Sequence, residues 1–291
     1  VKGRHIKEIK TGVKGYILNK SMFIERFKEL ILNEGGKILH GIYVTDIDPE
    51  KGKVVDSKGN LYEADLIVDA GGHLSVTQKK RILDYGNYRL TPAAQCLCKV
   101  RDMDYEQIHL NYYDDGYAWV FFKNEEIANV GAGRFRTNAV RSLEKFIKDH
   151  KFKIVSKIRV DSVSTGGIIP RFSYKKLRVA GEAAGMVFPH SGEGIRPAII
   201  AGMLSVGENY EEKYMKRIGK NIQRYMVFQR ILLSEFTESD ALDFASIVDE
   251  KIATKLFRGD RFIINLKMLT KPRLILKLLP FALKPLKFIF S

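Results

Sequence analysis

This sequence predicts an α+β fold, and three observations carry the prediction. Short apolar runs end in glycine clusters at Asp69-Ala70-Gly71-Gly72 and at Gly181-Glu182. Four extended segments separated by turns fill residues 93–133, and beyond Gly194 the pattern is almost wholly helical. Strands that run into glycine loops belong to open α/β sheets, where such junctions hold ligands. Turn-punctuated strands of even spacing make an antiparallel sheet. The expected partition is an α/β part in 1–90, an antiparallel-sheet domain in 91–170, a return to the first part in 171–210 and a helical region in 211–291.

Residues 15–18 read as a short strand ending at Asn19. A helix follows over 21–33, with Phe23, Phe27, Leu30 and Ile31 at helical spacing on one face. Gly35 and Gly36 stop it, and 37–46 reads as the next strand. Residues 53–55 and 61–64 flank the turn Ser57-Lys58-Gly59-Asn60 as a hairpin, and 66–68 is a buried strand. Residues 93–101, 108–113, 117–122 and 127–133 read as the antiparallel sheet, rich in aromatics: Tyr112, Tyr113, Tyr117, Trp119, Phe121 and Phe122. A helix near 142–150 leads to strands at 157–164 and 177–180.

The chain has 291 residues, room for two domains at roughly 100–200 residues each. A hydrophobic share of 45% and a mean hydropathy of −0.17 exclude disorder, a collagen repeat and a disulfide-stapled miniature fold. Cys96 and Cys98 share a strand face and are poorly placed to bridge each other. Two thiols make no metal site, so a reducing compartment is expected. The net charge is +15, but residues 251–291 hold ten lysines and arginines against one acid, leaving +6 for residues 1–250. Excess this local argues against a nucleic-acid binder and for an acidic partner or an anionic membrane surface. Within that tail 274–290, LILKLLPFALKPLKFIF, is broken by Lys277, Lys284, Lys287, Pro280 and Pro285. It fits an interfacial segment within 270–291, not a bilayer span. With no apolar leader after VKGRHIKEIK, a cytoplasmic protein peripheral to the membrane is expected.

The window 177–207, LRVAGEAAGMVFPHSGEGIRPAIIAGMLSVG, carries the chemistry. A buried strand ends at Gly181-Glu182, and Ala183-Ala184-Gly185 lets backbone approach a ligand. Gly192-Glu193-Gly194 then opens a helix with Ala198, Ala201 and Gly202 on its packing face. A glycine-preceded helix start offers free N–H groups and a positive dipole end to an anionic or electron-accepting group. His190, beside Pro189, is the one candidate proton donor. Against it stands a loop histidine without a catalytic task, because spacing alone sets no pKa. A His190–Ser191–Glu193 triad is discounted, since adjacent residues on one loop rarely align.

GEAAG followed by PHSGEGI resembles the second flavin motif, G-D-A-A-G then P-x-x-G-E-G-I, of the geranylgeranyl reductases. These lie within the p-hydroxybenzoate-hydroxylase-like flavoproteins. The resemblance implies an α/β flavoprotein: a Rossmann-like FAD domain, here incomplete, plus the antiparallel-sheet substrate domain and a helical C-terminal region. It implies FAD as cofactor, with Gly181, Glu182 and Gly185 at the ribityl–phosphate part and Gly192, Gly194 and Ile195 at the pyrimidine ring. Glu182 is one methylene longer than the usual Asp. A helix start beside the flavin N1 and O2 would stabilise the charge of the reduced cofactor.

GYAWVFF, residues 116–122, resembles the family's Y-x-W-x-F-P motif, with Phe122 in place of Pro. Tyr117, Trp119 and Phe121 alternate and so share one face, which in the family lines the isoprenoid cavity. YEADLIVDAGGHLS resembles A-D-G-x-x-S, with Gly72 and Ser75 matching and Gly71 replacing the acid. Lys20 stands where the family has an Arg that meets the cofactor, and Val44 matches a backbone contact on the adenine side. No G-x-G-x-x-G occurs among the 291 residues. By the family's layout a β-α-β unit of about eighty residues is expected ahead of Val1, and with it the main anchor of the FAD pyrophosphate.

The implied activity is FAD-dependent reduction of isoprenoid double bonds in membrane lipids or their precursors, hydride reaching one alkene carbon and a proton the other. An isoprenoid lipid is the expected partner, and the electron donor stays open. The alternatives are a flavin monooxygenase or halogenase, and a non-catalytic module that binds lipid or a partner without FAD.

Overall fold

The computed structural model describes residues 9, 16–113, 115–260 and 270–283, and these form an α+β fold. Helix α1 (Lys20–Asn33) starts where the Asn19 side chain accepts the Met22 N–H. Its Phe23 and Phe27 rings meet edge to face at 4.8 Å, yet none of its residues is buried. Residues 16–18 form no strand, correcting the expectation for 15–18. Extended backbone needs a partner for its N–H and C=O groups, and the described residues supply none there. The strand expected over 37–46 is shortened to β1 (Val44–Asp48). Gly41 turns the chain at φ +66, and pairing with β2 (Lys53–Asp56) begins only at Val44↔Asp56. β2 continues antiparallel into β3 (Leu61–Glu63).

β4 (Ile67–Asp69) and β12 (Leu177–Val179) run side by side in parallel, with β11 (Ser173–Tyr174) antiparallel on the far edge of β12. The short helix α2 (Val76–Lys79) follows β4, its start capped by the Ser75 side chain.

The largest sheet comprises β5 (Leu90–Lys99), β6 (His109–Tyr113), β7 (Gly116–Phe122), β8 (Ile127–Arg134) and β10 (Arg159–Ser164). Its order is β10-β5-β8-β7-β6, with β9 (Lys153–Ile154) beside the end of β5. Side chains alternate across it. Ala94, Cys96 and Cys98 of β5, Ala118, Val120 and Phe122 of β7, and Ala128 and Val130 of β8 turn to one face. Helix α3 (Ala139–Asp149) covers that face with Leu143, Phe146 and Ile147, spaced three and four apart. Each such side chain, fully buried, contributes about 1.5–3 kcal/mol. α3 starts three residues before its expected place because Asn138 caps it through the Arg141 N–H. The two cysteines are free and buried, their sulfurs 3.6 Å apart, and burial pushes the Cys98 thiol up to about 12.

The second core joins the parallel strands to the C-terminal helices: α4 (Ile195–Ser205), α5 (Tyr210–Tyr214), a π-helical turn (Met215–Gly219), α6 (Lys220–Ser234), α7 (Glu238–Ile247), α8 (Glu250–Arg258) and α9 (Pro272–Leu283). The interfacial reading of 274–290 is corrected in its first part. Leu274 and Leu278 are 1% and 0% exposed in this core, and α9 packs on α6 and α7. Lys277 donates to Asp240 at 2.5 Å and to the Glu235 carbonyl at 2.6 Å. An apolar helix face on offer and a buried carboxylate wanting a cation outcompete solvent for this segment. Leu276 remains 70% exposed, and residues 284–290 lie outside the described ones. Among the described residues no helix is long and apolar enough to cross a membrane.

Candidate functional site

β4 and β12 point the same way, so their C-terminal ends deliver two loops side by side. After β4, Asp69 gathers the loop. Its carboxylate accepts the Gly71 N–H at 2.9 Å, the Ser75 hydroxyl at 2.6 Å, and the Thr77 N–H and hydroxyl at 2.9 and 2.6 Å. Burial pushes its pKa up, but these hydrogen bonds outweigh burial and hold it below the usual carboxylate value. Gly72 and Gly181 each sit at φ +64, a left-handed conformation open to glycine at little cost. A Cβ on Gly181 would lie 3.3 Å from the Ala198 Cβ, so the glycine also lets α4 come close.

Glu182 bridges this loop pair to the large sheet. One carboxylate oxygen accepts the Ser164 N–H at 2.8 Å, at the end of β10, and its main-chain carbonyl accepts the Tyr88 hydroxyl at 3.3 Å. The other oxygen stands 3.9 Å from His73 Nδ1, and His73 Nε2 is 3.7 Å from Asp161 of β10. His73 therefore lies between an acid of the loop and an acid of the sheet.

At the start of α4, the Arg196 N–H is taken by the Glu193 carboxylate at 2.9 Å, and Pro197 has no N–H. The N–H groups of Gly194 and Ile195 find no acceptor among the described residues. They present the positive end of the helix dipole at a half-exposed position. The loop before them is moored to the large sheet by the Tyr117 hydroxyl, which donates to the Ser191 carbonyl.

From Tyr117 an aromatic row runs along the sheet face opposite α3. Ring centroids are 5.6 Å apart for Tyr112–Tyr117, 5.7 Å for Tyr117–Trp119 and 6.1 Å for Trp119–Phe121. Tyr117, Trp119 and Phe121 are each half-buried. The Trp119 indole lies over Gly131, where an added Cβ would collide with its six-membered ring.

The structure thus brings Gly72 and Gly181 together with Glu182 and sets Gly192 beside Tyr117 and Val163. It packs α4, which Gly194 and Ile195 open, on the Gly181 loop, with Trp119 and Phe121 continuing the row from Tyr117. Gly185 makes a turn behind, where a Cβ would strike the Gly167 carbonyl. Lys20 opens the unburied α1 and Val44 opens β1, and no described contact brings either to the glycine loops. His190 is packed away: its ring stacks on Tyr225 at 4.0 Å, and Nε2 donates to the Leu256 carbonyl at 2.8 Å. Burial lowers its pKa to about 4. The Ser191 hydroxyl accepts the Glu193 N–H at 3.3 Å while His190 bonds elsewhere, so these residues form no triad. Sequence reasoning missed His73, Gly131 and Asn129. For His73 the one available signal was its place directly after the glycine pair.

No family profile matches the chain. A digeranylgeranylglycerophospholipid reductase of Methanothermobacter thermautotrophicus is 28% identical over 256 residues, covering 76% of this chain and 66% of the relative. A second, from Methanosphaera stadtmanae, is 26% identical over 244 residues, covering 73% and 58%. Among solved structures, a geranylgeranyl bacteriochlorophyll reductase-like protein from Thermoplasma acidophilum superposes with a TM-score of 0.71 at 19% identity. The match covers 94% of this chain and 78% of that one. The flavin-dependent brominase Bmp2 superposes at 0.65 and 13% identity, over 82% and 69%. The chain spans 58–66% of the length of these two curated relatives.

Proposed function

We infer from this kinship that the chain, a member of the geranylgeranyl reductase family, reduces carbon–carbon double bonds of isoprenoid lipids with FAD as cofactor. The observation that most supports this reading is the meeting of two surfaces. Glycine loops at the ends of parallel β4 and β12 border a half-exposed aromatic face, joined to it through Tyr117 and Ser191.

The residues present fit a flavin. Gly72 and Gly181 keep side chains out of the loops, and the N–H groups of Gly194 and Ile195 are free to face negative charge on a pyrimidine ring. Glu182 commits one carboxylate oxygen to Ser164, and the other, 3.9 Å from His73 Nδ1, would meet a ribityl hydroxyl. Bound FAD supplies hydride chemistry. Tyr117, Trp119 and Phe121 hold the apolar chain against the cleft and exclude water from it. His190 is not assigned as proton donor, because its N–H is held by Leu256. A peripheral position on anionic lipid fits the basic excess of residues 251–291, where Leu276 and Arg273 stay exposed on α9.

The test is titration of the purified chain with FAD, followed by chemical reduction in the presence of a geranylgeranyl phospholipid. Flavin fluorescence is expected to fall on binding, and the lipid to gain H2 per double bond by mass spectrometry. A chain that leaves FAD free in solution sinks the stand-alone reductase reading.

A further inference from the structure

We propose that Asn129 is a positioning residue that locks the Trp119 indole flat over β8 and so makes the aromatic wall a surface for hydrocarbon alone. The proposal rests on the reading of this face as a lipid wall. The indole N–H donates to Asn129 Oδ1 at 2.7 Å, and Asn129 Nδ2 donates to Gln95 Oε1 at 3.1 Å. The second bond sets the first: with its NH2 held by Gln95, the Asn129 amide can offer only its oxygen to the indole.

Pairing places Gln95, Gly131 and Trp119 in one row across β5, β8 and β7, with Asn129 and Phe121 in the next. Trp119 therefore leans diagonally to reach Asn129. Gly131 beneath it leaves room for the ring, and Phe121 stacks beside it at 27°. An indole N–H without an acceptor takes whatever oxygen enters the cleft. Spent on Asn129, it leaves only the ring face to meet a ligand. The hydrocarbon part of a lipid then lies on Trp119 and Phe121, and its oxygen-bearing end lies beyond them.

Trp119 is the one tryptophan of the chain, so its signals need no deconvolution. In the unaltered protein, the indole N–H is expected to exchange with solvent about tenfold more slowly than free indole by NMR. Exchange at the free rate overturns the proposal. In Asn129→Leu the Trp emission anisotropy should fall and geranylgeraniol, followed by Trp quenching, should bind about tenfold more weakly. Asn129→Asp keeps an acceptor, with Gln95 able to turn its amide, and should restore both. A purely structural role would shift both variants alike. A folded Asn129→Leu with unchanged anisotropy and affinity, or a folded Asn129→Asp that restores neither, overturns the proposal. Should Asn129→Leu fail to fold, the exchange rate in the unaltered protein decides. Failure of the unaltered protein to bind geranylgeraniol would instead sink the lipid reading, with exchange and anisotropy still deciding the role of Asn129.

Discussion

The two faces of the six-stranded sheet come from the same strands and have opposite fates. On β7, Ala118, Val120 and Phe122 are buried under α3, while Tyr117, Trp119 and Phe121, one position out of phase, stay half-open. The larger, costlier side chains lie on the face that is not sealed. Stability alone would place big aromatics in the sealed core, where burial returns most. Their position on the open side is what the proposed lipid wall requires, and polar ties from Asn129 and Ser191 hold that face in shape.

The largest expected effect breaks the sealed face. Leu143→Ala removes a fully buried side chain of α3 and should cost about 2–5 kcal/mol in denaturant unfolding. Geranylgeraniol affinity of the folded fraction should stay unchanged. A matching loss of affinity would show that the two faces are not independent.

A smaller effect concerns the loop that borders the open face. Burial holds His190 neutral down to about pH 4, against 6.5 in the unfolded chain. Between these values the unfolded state binds the extra proton, so stability should fall as pH drops from 6.5 toward 4, by about 3 kcal/mol in all. His190→Phe should flatten that slope in a pH series of unfolding curves, and a slope that persists would assign it to other groups.

The smallest effect sharpens the comparison at the junction itself. Tyr117→Phe keeps the aromatic surface but removes the donor to Ser191, and should cost about 1 kcal/mol. FAD binding by titration should weaken more than geranylgeraniol binding. Equal weakening would mean that Tyr117 serves only the wall.

Much of this was legible in residue order. Alternation in GYAWVFF put Tyr117, Trp119 and Phe121 on one face, because successive strand side chains point to opposite sides. The glycine clusters at Gly71-Gly72 and Gly181 announced loops at strand ends. What escaped depends on partners remote in sequence. Ser164 donates to Glu182 from eighteen residues away, and His190 reaches Leu256 across sixty-six. The strand expected over 15–18 failed for the same reason, since its extended pattern has no described partner to complete it.

By itself, then, the sequence determined the periodicities, the glycine-ended strands and the grouping of aromatics. These follow from local sterics, which act over a few residues. Tertiary structure alone decided which sheet face α3 would seal and that His190 would be a packed, neutral side chain. It also decided that Lys277 would turn inward to Asp240 and that Asn129 would hold the indole. Each of these depends on which distant surface supplies the missing hydrogen-bond partner or excludes water, and no short stretch of sequence contains that information.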